Sequence, residues 1–68
     1  MNRAKIGHRL KKLRYNRMET LETVASACGI TEQSLSHYEN GQRTPRDEVK
    51  KRLAAYFGRS VEDIFYAD

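Results

Sequence analysis

The stretch Leu21 to Gly41 reads LETVASACGITEQSLSHYENG, with the spacing of two short helices joined by a tight turn. In the first of these, Leu21, Val24, Ala25 and Cys28 fall at i, i+3, i+4 and i+7, an apolar stripe, and Thr20 just before them is a good N-cap. Gly29 permits the turn, and Ala25 is small where two helices could cross closely. Thr31 is the N-cap expected for the second helix, with Ile30 placed to meet Leu35 as a hydrophobic staple. Asn40-Gly41 supplies a residue that tolerates positive φ, so that helix should stop there.

At about 100° per residue, Leu35 and Tyr38 share one side of the second helix, while Glu32, Gln33, Ser36, His37 and Asn40 fall on the other. The outer arc holds no lysine or arginine, yet it is rich in short side chains able to donate or accept hydrogen bonds. Such groups match base edges in a major groove, where glutamine bonds adenine in bidentate fashion, glutamate accepts from cytosine and serine is permissive. Any exposed helix face is polar, so the arc alone leaves a solvated surface as the alternative. Two short helices about a glycine turn, the second offered outward, form a helix-turn-helix, here residues 21–40.

The rest of the chain reads as helices too, and the fold class is all-α. A first helix from Arg3 to Asn16 turns Ile6, Leu10 and Leu13 inward and Lys5, Lys11 and Lys12 to water. Arg14 and Arg17 lie near its inward stripe, which makes an internal ionic partner plausible, with Glu39 the candidate. After the loop Gln42-Arg43-Thr44-Pro45-Arg46, Thr44 and Pro45 read as N-cap and first position of a fourth helix ending near Phe57. It places Val49, Leu53 and Phe57 toward the core and Lys50, Lys51 and Arg52 on its solvated side. Gly58 ends it, and Ser60 can cap a last short helix carrying Val61, Ile64 and Phe65, followed by Tyr66.

Ala25, Gly29-Ile30-Thr31, Leu35 and Glu39-Asn40-Gly41, preceded by Leu13-Arg14 and followed by Pro45 and Val61-Glu62-Asp63-Ile64-Phe65, resemble the phage repressor and Cro class of bacterial regulators, also called Xre-like. The resemblance runs from about Ile6 to Phe65, and its ordered spacing is more specific than any one motif. It implies a five-helix, lambda-repressor-like DNA-binding domain, dimeric on a two-fold symmetric operator, that regulates transcription. It further implies base or near-base contacts at Thr31, Glu32, Gln33, Ser36 and His37, phosphate contacts from Asn40 through Gln42, Arg43 and Thr44, and a structural ion pair between Arg14 and Glu39. The chain departs from the pattern twice. Leu21 stands where relatives have a phosphate-touching glutamine, and Glu19 where they bury a leucine, a place that Met18 or Leu21 is expected to fill.

Sixty-eight residues make a single domain, 1–68, and a chain this short buries only about 60% of its unfolded surface. Cys28 is the only cysteine, so no disulfide within the chain adds stability; on an apolar stripe it reads as a small buried hydrophobe suited to a reducing cytosol. The charged opening MNRAKIGHRL has no signal-like apolar run, and a cytoplasmic protein is expected.

Net charge is +4, which favours polyanionic partners. Residues 1–18 carry seven bases and no acid, residues 19–42 four acids and no base, and residues 43–68 six bases and five acids. The outward helix is thus flanked by cations rather than built from them, which suits phosphate contacts that position and side chains that specify. Double-stranded DNA is the expected partner.

The tail, residues 60–68, has two readings. It closes the core over the first and fourth helices, or Ile64, Phe65 and Tyr66, with Tyr56, exceed what so small a core can hide and form a homodimer contact. A helical adaptor or antitoxin-like protein with a protein as its main partner is the alternative function. An enzyme fits least: His8 and His37 lack ligand-like spacing, no glycine loop cradles phosphate, and neither metal nor cofactor is implied.

Overall fold

The computed structural model describes residues 2–67. They form α1 (Arg3–Asn16), α2 (Leu21–Cys28), α3 (Glu32–Glu39), α4 (Asp47–Phe57) and a closing π-helical turn, Glu62–Tyr66. No strand occurs among the described residues. The helix starts are set by short polar side chains. Asn2 accepts from the Lys5 N–H at 3.1 Å, Thr20 from Thr23 at 3.1 Å and Thr31 from Ser34 at 3.0 Å, each satisfying a donor that has no partner within its helix. The left-handed φ of +70° at Gly29 lets α2 end and α3 begin within three residues, a conformation that costs glycine no Cβ clash.

One core joins all five elements. Ile6 and Leu10 of α1, Val24 and Cys28 of α2, Leu35 of α3, Leu53 and Phe57 of α4, and Ile64 and Phe65 of the closing turn are buried together. Full burial of such a side chain stabilises by about 1.5–3 kcal/mol. The thiol of Cys28 packs within this cluster, and burial pushes its pKa up, as expected for a structural rather than a reactive cysteine.

Several local expectations give way to tertiary packing. The fourth helix begins at Asp47, not Pro45, and its N-cap is Arg46 rather than Thr44; Arg46 makes no side-chain capping bond. Pro45 is instead a buried residue of the loop before α4. Lys50 is not on a solvated side. It is 5% exposed, because Tyr66 folds back and accepts from its Nζ at 3.0 Å while Asp47 lies 3.6 Å away. Ser60 Oγ accepts from the Asp63 N–H at 3.0 Å, but the closing element starts one residue later than expected, with Val61 at its N-cap, and winds as a wider π-turn. Arg9 of α1 donates to the carbonyls of Ile64 (2.9 Å) and Ala67 (2.6 Å), satisfying acceptors that this turn frees.

Glu19, in the position of a missing apolar residue, is accommodated by a polar cluster. Tyr56 donates to Glu19 Oε2 at 2.5 Å, Arg17 donates to Oε1 at 2.8 Å, and the Arg17 guanidinium lies 4.7 Å from the centre of the Tyr56 ring. The hydrogen bond from Tyr56, then that from Arg17, holds the Glu19 carboxyl below the ordinary carboxylate range. Arg17 is thereby taken up by Glu19 and not by Glu39. Met18 does not fill the vacant place, since it is 93% exposed at φ +56°; Leu21 packs against the core there.

Candidate nucleic-acid interface

The helix with the uncharged and acidic outer arc is fixed from three directions. Leu35 and Tyr38 sink into the core behind it. At its C-terminal end, Arg14 Nε and Nη2 grip both Glu39 carboxylate oxygens at 2.7 and 2.9 Å, and Arg14 Nη1 donates to the Glu19 carbonyl at 2.9 Å. One guanidinium therefore ties α1, the α1–α2 turn and α3 together. Bidentate geometry restricts rotation as well as translation, so α3 is held at a defined angle. Donation to the Glu39 carboxylate is the leading cause of a raised Arg14 pKa.

Beneath this pair the backbones of α1 and α3 nearly touch. Gly7 faces the last turn of α3, where a Cβ would stand 2.7 Å from the Tyr38 carbonyl oxygen and closer still to that of Glu39. Sequence reading had no signal for this role, because a lone glycine within a helical pattern looks merely like a weak helix former.

On the opposite side α3 shows its arc. Glu32 and Gln33 are exposed, and Ser36 and His37 are half-buried. Thr31 is exposed but its hydroxyl is committed at the cap, accepting from the Ser34 N–H and donating to Ser34 Oγ at 3.0 Å. His37 Nδ1 is buried without a hydrogen-bond partner among the described residues. Asn40 is exposed, yet it bonds Ser36 Oγ at 3.3 Å and accepts from Lys11 Nζ at 3.4 Å. Lys11 is thus half-buried and aimed at the end of α3 rather than simply turned to water.

The following loop folds back over the helix end. Gly41 takes φ +72°, and the N–H groups of Gln42 and Arg43 both donate to the His37 carbonyl, at 2.9 and 3.3 Å. Their side chains are left exposed, while Thr44 is half-buried. Beside them an open groove of about 610 Å³ runs along the flank of α3, lined by Thr31, Ser34, Arg43, Thr44, Arg46 and Arg52 among others. Three arginines, with Glu48 among them, are therefore set beside an arc that itself carries no cation.

A family model described as a helix-turn-helix domain matches residues 5–64 of the chain. The chain belongs to that family. The chain is similar to the restriction-modification controller protein C.AhdI from Aeromonas hydrophila, with 27% identity over 91% of this chain and 94% of that one and a TM-score of 0.84. It is likewise similar to the clp gene regulator ClgR from Corynebacterium glutamicum, with 26% identity over 97% of this chain and 70% of that one and a TM-score of 0.86. No curated protein matches. This helix-turn-helix chain is a DNA-binding transcriptional regulator of the Xre and Cro type, a non-enzymatic class. No helix among its described residues is long and apolar enough to cross a membrane.

Of the expected residues, Thr31, Arg43 and Thr44 line one groove, while two expected at a subunit contact are buried. Ile64 and Phe65 do not form an outward contact: they are 2% and 1% exposed within the chain's own core, because the closing turn rolls both side chains inward. Tyr66 alone of that trio remains exposed, at 51%, and Tyr56 is spent on Glu19.

Proposed function

We propose that this helix-turn-helix regulator binds a two-fold symmetric operator as a homodimer, with α3 of each subunit in a major groove. Glu32 and Gln33 read base edges most directly, Ser36 and His37 complete the reading face, and Thr31 contributes its methyl group and backbone while its hydroxyl caps the helix. Asn40, Gln42, Arg43 and Thr44 approach the phosphates. The observation that carries this reading is the contrast within α3. Its inner side is fixed by a bidentate ion pair and core residues, and its outer side leaves Glu32 and Gln33 without partners of their own among the described residues. A rigid element presenting unsatisfied donors and acceptors suits direct readout, because little ordering entropy is lost on docking.

The apolar area for a subunit contact is smaller than the sequence suggests, and Tyr66 with the adjoining surface of α4 is where pairing would centre. Selecting bound sites from random duplex DNA tests the whole reading. A palindrome with half-sites about 10 base pairs apart, centre to centre, is expected. Equal weak retention of every sequence, or a monomer on DNA by solution mass, would overturn it.

A further inference from the structure

The outward side of α1 is basic, unpaired and turned away from α3. Helical spacing puts Lys5, His8, Lys12 and Tyr15 on one side of α1, and all four are exposed. Gly7 marks the side of α1 packed on α3, and Lys12 lies about 140° around the helix from it, so DNA held against α3 does not account for these cations. Residues 1–18 carry seven bases and no acid. Among the described residues only Arg14 and Arg17 of that stretch find a carboxylate, which leaves Lys5 and Lys12 without one.

This face differs from a plain solvated surface in carrying a held aromatic ring between two hollows. Tyr15 is 60% exposed, and its ring centre lies 4.7 Å from the Arg14 guanidinium, which restrains it. A hollow of about 360 Å³, mainly apolar in its walls, is lined by His8, Lys11, Lys12, Tyr15 and Asn16. A second, of about 210 Å³, opens across Lys12 and Asn16 from the first, with Leu13 and Ile64 in its walls and Arg9 and Arg59 beside them. Rings and methylene stems make such walls while the charged heads stay at the rim. A phosphate backbone would use the cations and leave the hollows empty. A protein segment that carries carboxylates around one large apolar side chain would use both.

We infer that the outward face of α1 docks an acidic segment of a partner protein, whose carboxylates meet Lys5 and Lys12 and whose apolar side chain enters the hollow beside Tyr15. The face points away from α3, so partner and DNA can be held at the same time. The inference goes beyond the reading of α3 and does not depend on it, because the chain without DNA already presents the surface.

The experiment titrates the full chain, without DNA and at low salt, with a glutamate-rich peptide carrying one phenylalanine and with its all-glutamate counterpart, following amide NMR shifts. The shifts should centre on Lys5, His8, Lys12 and Tyr15, and the phenylalanine should tighten binding by about 5-fold or more. Lys5→Ala and Lys12→Ala should each weaken binding by about 1.5–5-fold, and Lys51→Ala, at an exposed cation of α4, by less than either. Tyr15→Ala should abolish the advantage of the phenylalanine while leaving the all-glutamate peptide little changed. Equal affinity for the two peptides, or equal losses in Lys12→Ala and Lys51→Ala, would reduce the face to diffuse positive charge and overturn the inference. Two further results would overturn it by naming another occupant. Non-specific duplex DNA shifting the same four residues would assign the face to nucleic acid, and the same shifts on concentrating the chain alone would assign it to a second copy. Failure of the chain to prefer any duplex would count against α3 as the reading helix and leave this surface standing.

Discussion

Gly7 of α1 lies directly against the carbonyls of Tyr38 and Glu39 at the end of α3, so that the two helices cross with no side chain between them. The contact also brings Arg14, two turns further along α1, level with the Glu39 carboxylate. The close crossing and the ion pair are thus one arrangement.

Gly7→Ala should destabilise the fold even though alanine is the better helix former. The propensity gain is about 0.5–1 kcal/mol, whereas forcing the helices apart costs about 1–3 kcal/mol because the opposing atoms are backbone and cannot swing aside. Denaturant melts check the sign; a more stable variant would show that α1 and α3 separate freely.

Glu39→Ala should cost about 3–5 kcal/mol, since it leaves the Arg14 guanidinium buried without its partner. Glu22→Ala, on the exposed side of α2, should stay within about 0.5 kcal/mol. Equal losses in denaturant melts would remove the pair from the account of how α3 is held.

Gln33→Ala should relax preference at one base position and cost about 1–3 kcal/mol there, with little change in the salt slope. Binding to duplexes altered one pair at a time separates the cases. A uniform loss across sequences would move Gln33 from the reading group to the positioning group.

The Glu19 cluster predicts a pH dependence. Its carboxyl is held below the ordinary value of 4.5 by the bond from Tyr56 and then by Arg17, so the folded chain releases that proton more readily than the unfolded one. The stabilisation is present above the unfolded value and is lost as pH falls through the lower folded one. The Tm gap between the unaltered chain and Glu19→Gln should therefore be full at neutral pH and narrow below about 4.5. A gap of constant width would mean that the ionised carboxylate contributes nothing.

Much of the architecture follows from local spacing. Thr20, Gly29 and Thr31 set the limits of the helix-turn-helix through bonds within a few residues of each, which is why those boundaries could be read in advance. The division of α3 into an apolar inner side and a polar outer arc is equally a matter of periodicity. Helical placement signalled an ionic partner for Arg14, but 25 residues separate it from Glu39, no local rule pairs the two, and the resemblance supported the choice.

What escaped sequence reading shares one cause: contacts made by segments distant along the chain. Lys50 looks like a solvated lysine until Tyr66 returns to cover it, and α4 starts two residues later than its local signals suggest, with Pro45 buried ahead of it. Ile64 and Phe65 look like spare apolar surface until the wider final turn rolls both into the core. The amino-acid order by itself determined the number of helices, the caps of α2 and α3 and the face that α3 offers, because hydrogen bonds near in sequence and a 3.6-residue period suffice for those. Only the tertiary structure decided which charges are buried, which aromatic residue stays outside and where α1 and α3 touch, because each depends on free volume and partners that exist only after the helices have packed.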